Sequence, residues 1–152
     1  MSAEDPCWRV AKECTAASLR RASRSVSNAF DKALAPAGIR STQFSLLVAL
    51  HLAGKMSLTG LASRLGLDRT TLTRNVRPLL RERLVREAPA QDGRLRLLAL
   101  TDAGEKLVKR TLPLWELAQR SVTEEMGEKR WAGFMKELES VAAMPAGGSV
   151  SD

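Results

Sequence analysis

The sequence predicts a mainly α fold with a small β-hairpin, in which a helix-turn-helix is flanked by N- and C-terminal helices. Three observations carry this. Apolar residues recur at threes and fours through most of the 152 positions. A short helical pattern ends at Gly66 and a second begins two residues later behind Asp68. Two short apolar-rich runs flank Asp92-Gly93, a tight-turn dipeptide. The length suits a single core, so one domain over 1–152 is expected.

Residues 9–34 read as a long helix carrying Leu19, Val26, Phe30 and Ala33, broken by Ala35-Pro36-Ala37-Gly38. Ser41 or Thr42 can cap a second helix, whose run Phe44 to Ala53 predicts burial on most sides before Gly54. Met56-Ser57-Leu58-Thr59 leads into a short helix, Gly60 to Leu65. Asp68 then caps a helix bearing Leu72, Val76, Leu79 and Leu80. Leu84 to Glu87 and Arg94 to Leu100 read as a two-stranded hairpin, a wing. Thr101 can cap a helix of about 102–121, with a kink expected at Pro113. Met126 to Val141 marks a last helix, and 145–152 has nothing to bury, so a disordered tail is expected.

Twenty-four Lys and Arg against seventeen Asp and Glu leave a charge of +7, which favours an anionic partner. Its distribution says more than its total. All eight basic residues between 66 and 96 are Arg, although seven Lys occur elsewhere, and the guanidinium fork suits phosphate and guanine. At 100° per residue, Thr70, Arg74, Arg77 and Arg81 fall opposite the apolar face of their helix. Such a stripe is ordinarily a solvated face, but it lies on the second helix of a helix-turn-helix, which reads the major groove. Arg94 follows the hairpin glycine and can enter a minor groove, with Asp92 holding its guanidinium; an arginine there is equally often only solubilising.

Phosphate-binding, nucleophile-elbow and zinc-hydrolase motifs are absent, and Cys7, Cys14 and His51 do not have metal-ligand spacing. The expectation is a protein with no catalysis, metal or cofactor. With no apolar leader or 18-residue apolar run, a cytoplasmic location without membrane contact is expected.

Asp92-Gly93-Arg94-Leu95-Arg96-Leu97-Leu98-Ala99-Leu100-Thr101-Asp102-Ala103-Gly104 resembles the D-x-R-x-x-x-L-x-L-T-x-x-G wing signature of the MarR (multiple antibiotic resistance regulator) family of bacterial winged-helix transcription factors. Gln43-Phe44, Leu61-Ala62 and Leu67 to Arg74 support the resemblance, which spans about residues 9–143. It implies a homodimer held by helices within 9–35 and 102–143. A winged region over 41–101 would read double-stranded DNA at a pseudo-palindromic operator through Arg69, Thr70, Thr71, Thr73, Arg74, Arg77 and Arg94. It further implies a repressor responsive to a small aromatic effector, for which His51 and Trp115 are candidates; for both, packing is the plainer reading. Cys14 invites comparison with the hydroperoxide-sensing branch, but an ungapped count puts that cysteine near Ala16, and the partner tyrosines have no counterpart in a chain without Tyr. A redox sensor and a winged-helix interaction module that does not touch DNA stand as alternatives. Two departures from the family are Arg83, where glycine is usual, and Pro78, which interrupts the recognition helix.

Overall fold

The computed structural model describes residues 6–89 and 96–144. Its elements run α1 (Pro6–Glu13), α2 (Thr15–Leu34), a 3-10 turn (Ala35–Ala37), α3 (Ser41–Ala53), β1 (Lys55–Ser57), α4 (Leu58–Leu65), α5 (Arg69–Arg81), β2 (Val85–Pro89), β3 (Arg96–Leu100), α6 (Asp102–Met126) and α7 (Glu128–Ala142). Two compact units divide the chain, Met1–Trp115 and Glu116–Asp152.

The first unit is organised around α3. Phe44, Leu46, Leu47, Ala49 and Leu50 are buried there, as expected of a helix apolar on most sides. Leu34, Leu61, Leu72, Val76, Leu79, Val85 and Leu107 close the same core. Each fully buried leucine contributes about 2 kcal/mol of transfer free energy. The hairpin belongs to a three-stranded antiparallel sheet of order β1-β3-β2. Lys55, Met56 and Ser57 face Ala99, Leu98 and Leu97, while Val85 to Pro89 face Leu100 to Arg96.

Several expectations need correction. The helix expected over 9–34 is two helices, because Cys14 adopts an extended conformation (φ −65°, ψ 106°) at the start of α2. Arg40, rather than Ser41 or Thr42, takes the N-cap of α3, and its N–H donates to Gln43 Oε1 at 3.1 Å. Ser41 is drawn into the first turn, because Asp31 Oδ1 accepts from both its N–H and its hydroxyl. The segment expected to lead into α4 is a strand plus a cap: Ser57 Oγ accepts from Gly60 N–H, so α4 starts at Leu58. The expected two-stranded hairpin therefore carries a third strand, β1. Met126 ends α6 rather than opening the last helix, and Gly127 separates the two.

Two prolines sit within helices without ending them: α5 continues past Pro78 to Arg81, and α6 past Pro113 to Met126. At the end of α5 the chain closes a Schellman turn. Arg83 N–H donates to the Leu80 carbonyl and Leu84 N–H to that of Leu79, with Arg83 at φ 57°. This left-handed position is one that glycine takes at little cost, which accounts for the glycine usual in the family.

The strand that follows is fastened to α6. Thr101 Oγ1 donates to the Arg83 carbonyl at 2.7 Å and accepts from Gly104 N–H at 3.1 Å, which caps the helix as its sequence predicts. Thr101 N–H donates to the Leu84 carbonyl at 3.1 Å. Gly104 is buried against that carbonyl, and a Cβ at this position would collide with the Leu84 oxygen.

In the second unit, α7 buries no residue fully; Trp131, Leu138 and Val141 are half-buried, and Phe134 and Met135 are exposed. No single described helix is long and apolar enough to cross a membrane. The expected tail, 145–152, lies outside the described residues.

Candidate nucleic-acid interface

The interface is built on the turn between α4 and α5. Gly66 takes a left-handed conformation (φ 61°), and Leu67 N–H returns to the Ala62 carbonyl at 2.9 Å. Asp68 then opens α5. Its carboxylate accepts from Thr71 N–H at 2.8 Å and from the Thr71 hydroxyl. These bonds, the hydroxyl's first, hold the Asp68 carboxyl below its ordinary value of 3.8.

This shift has a definite sign. The unfolded chain binds a proton at Asp68 more readily than the folded one, so the cap stabilises fully above the ordinary value and is lost as pH falls through the lowered one. Asparagine caps comparably but does not titrate. The melting temperature of wild type relative to Asp68→Asn is therefore expected to fall on acidification from about pH 5 to about pH 2. A difference independent of pH would remove the charge from the cap.

With Leu72, Val76 and Leu79 buried, α5 turns its opposite face outward. Arg69, Thr70, Thr73, Arg74, Arg77 and Arg81 line one open concave strip together with Pro78. Among the described residues, none of these four arginines is in an ion pair. The Thr73 hydroxyl donates to the Arg69 carbonyl at 2.8 Å and keeps its oxygen as an acceptor. Thr71 is not brought to the strip: it is half-buried and its hydroxyl serves the Asp68 cap.

On the hairpin, Arg96 Nη1 lies 3.1 Å from both carboxylate oxygens of Glu87, an exposed pair bracing β2 to β3. Sequence reasoning missed this pair and the part of Pro78 in the strip. The first becomes visible once the register sets Pro89 against Arg96 and Glu87 against Leu98. Asp92 and Arg94 lie outside the described residues.

The other candidates are dispersed. His51 is exposed at the end of α3, with Nδ1 2.7 Å from Glu105 Oε2. Trp115 lines a cavity of about 280 Å³ with Val26, Phe30, Phe44 and the hydroxyl residues Ser27, Ser41, Thr42 and Ser45. His51 does not line it. Cys14 is half-buried at the α1–α2 junction, and Cys7 is exposed on α1. Among the described residues no three His, Cys, Asp or Glu side chains gather as metal ligands would.

A helix-turn-helix with a clear arginine-rich face on its second helix, followed by a braced hairpin, defines a winged-helix DNA-binding protein. A family model described as the MarR family matches residues 37–95. The chain is 35% identical to the transcriptional regulator MosR of M. tuberculosis, covering 86% of this chain and 96% of that one with a TM-score of 0.74. The same regulator in complex with DNA matches at 34% identity, covering 87% of this chain and 100% of that one with a TM-score of 0.71. Bordetella bronchiseptica BpsR, described in terms of regulation of its DNA binding by 6-hydroxynicotinic acid, is alike in fold at 22% identity. Its TM-score is 0.80, over 88% of this chain and 96% of that one. No curated protein matches. The chain belongs to the MarR family of DNA-binding transcriptional regulators; it is a regulator and not an enzyme.

Proposed function

We propose that the protein is a homodimeric, effector-responsive repressor that binds a pseudo-palindromic operator. The observation that carries the reading is the α5 strip, whose arginines keep their charge for DNA because no described carboxylate claims it. Thr70, Thr73, Arg74 and Arg77 read base edges in the major groove, and Arg69 and Arg81 hold phosphates. Thr71 contributes indirectly, by holding the cap that sets the start of the helix. Arg94, at the tip of the wing in sequence, enters the minor groove with Asp92 orienting it.

Exposed Leu19 and Val26 on α2, and Phe134 and Met135 on α7, support dimerisation through 9–35 and 102–143. The winged region, 41–101, then reads DNA from within the first unit. The Trp115 cavity, with three aromatic rings and several hydroxyls, suits a small aromatic effector. His51, held by Glu105, is not assigned to it. The protein acts in the cytoplasm.

A gel shift against the DNA upstream of its own gene, with random DNA as competitor, tests the reading. Arg74→Ala is expected to weaken the specific complex by about 1–3 kcal/mol while leaving the melting temperature unchanged. Equal competition by random DNA would return the chain to a module that does not read sequence.

A further inference from the structure

Among the described residues, Arg96 alone of the arginines between 66 and 96 is in an ion pair, with Nη1 3.1 Å from each carboxylate oxygen of Glu87. Both side chains are largely exposed. A pair of this kind adds little to stability, so its effect as a brace is small.

The strand register shows which way the pair faces. Val85, Glu87 and Pro89 share one face of the hairpin with Leu100, Leu98 and Arg96, their partners across the ladder. The inner residues of this face, Val85, Leu98 and Leu100, join Leu72, Val76 and Leu79 of α5 in one core. Glu87 and Arg96 continue the face outward, on the side of the hairpin that α5 occupies. A helix in a major groove and a wing in the next minor groove straddle the sugar-phosphate backbone between them. Arg96 is set toward that backbone. A free arginine there would neutralise a phosphate and release its counterions, which strengthens binding to any sequence. Beside Glu87 it presents no net charge, and a guanidinium that left for a phosphate would leave the carboxylate uncompensated next to the DNA.

We propose that Glu87 is a positioning residue for DNA binding, which withholds Arg96 from the phosphate backbone and so lowers the sequence-independent part of the affinity. This role rests on the docking of α5 and the wing in adjacent grooves.

Fluorescence anisotropy of a labelled duplex of random sequence, titrated with the full chain at salt between about 50 and 200 mM, tests it. Glu87→Gln is expected to steepen the fall of log affinity with log salt by about 0.9 for each chain bound, about a 3.5-fold greater loss per chain across that range. Arg96→Gln and the double variant Glu87→Gln, Arg96→Gln are expected to keep the wild-type slope. All three change exposed side chains and are expected to melt close to wild type. An unchanged slope in Glu87→Gln overturns the proposal. So does a double variant as steep as Glu87→Gln, because Glu87 would then repel DNA without Arg96. An Arg96→Gln slope shallower by about 0.9 per chain would place Arg96 on a phosphate in the wild type and overturn it too. A lowered melting temperature in Glu87→Gln at an unchanged slope would make the pair a brace, with the same consequence. Arg81→Gln, which removes a phosphate contact from the strip, is expected to make the slope shallower by about 0.9 per chain. If it does so while Glu87→Gln changes nothing, the proposal fails and the docking stands; if neither moves the slope, both fail.

Discussion

Inserting five base pairs between the two halves of the operator is expected to reduce specific binding toward the non-specific level, a loss of about a thousandfold or more. In a two-fold dimer the recognition helices enter successive major grooves on one side of the duplex, with centres about 10 bp apart. The insertion turns one half-site by about half a turn and carries it to the far side of the DNA. A surface acting only through its net charge of +7 would be indifferent to this change. Footprinting reads the outcome directly. A protected site without two-fold symmetry, or undiminished binding after the insertion, would sink the dimeric mechanism.

Gly104→Ala is expected to destabilise the fold by about 3 kcal/mol, lowering Tm by about 6–12 °C. Glycine ordinarily weakens a helix, and alanine there would improve propensity by about 1 kcal/mol. Clearance outweighs propensity at this position. The added methyl collides with the Leu84 carbonyl oxygen, which is backbone and already accepts from Thr101 N–H, and it also crowds the Leu100 side chain. Relief requires α6 to withdraw, which strains the Thr101 bonds to Arg83 and Gly104. Lys109→Ala, an exposed change on the same helix, is expected to stay within about 0.5 kcal/mol. Thermal melts of the two variants compare them, and a Gly104→Ala protein as stable as wild type would contradict the clash.

What could be read from the sequence was the part set by local chemistry. Asp68 and Thr101 announce their helices because a short side-chain acceptor before an apolar pattern has few other uses. The α5 strip was legible because Leu72, Val76 and Leu79 fix the inward face, leaving Arg74, Arg77 and Arg81 one direction to point. Features set by distant partners were not. Three residues of β1 carry no period, and their pairing with β3 closes across some forty residues. Ser41 has the composition of a cap, yet a carboxylate ten positions earlier takes its hydrogen-bond donors. Cys14 has no breaking chemistry of its own, so the division between α1 and α2 left no local signal. Thr71 illustrates the limit of counting residues as site members. Thr70 and Thr73 reach the strip, while the Thr71 hydroxyl turns back to hold the helix start.

The fastening of Thr101 and Gly104 to the strand leaving α5 also has a mechanical reading. The recognition helix, the base of the wing and the first turn of α6 meet at Arg83 and Leu84, so they turn as one lever about that point. The five residues of β2 span about 17 Å. A tilt of about 5° at the base therefore carries the far end of the strand about 1.5 Å, roughly half the length of a hydrogen bond. On the proposed docking, gearing of this kind would let a small displacement of α6 take the helix and the wing out of register with their grooves together, with no slack lost between them.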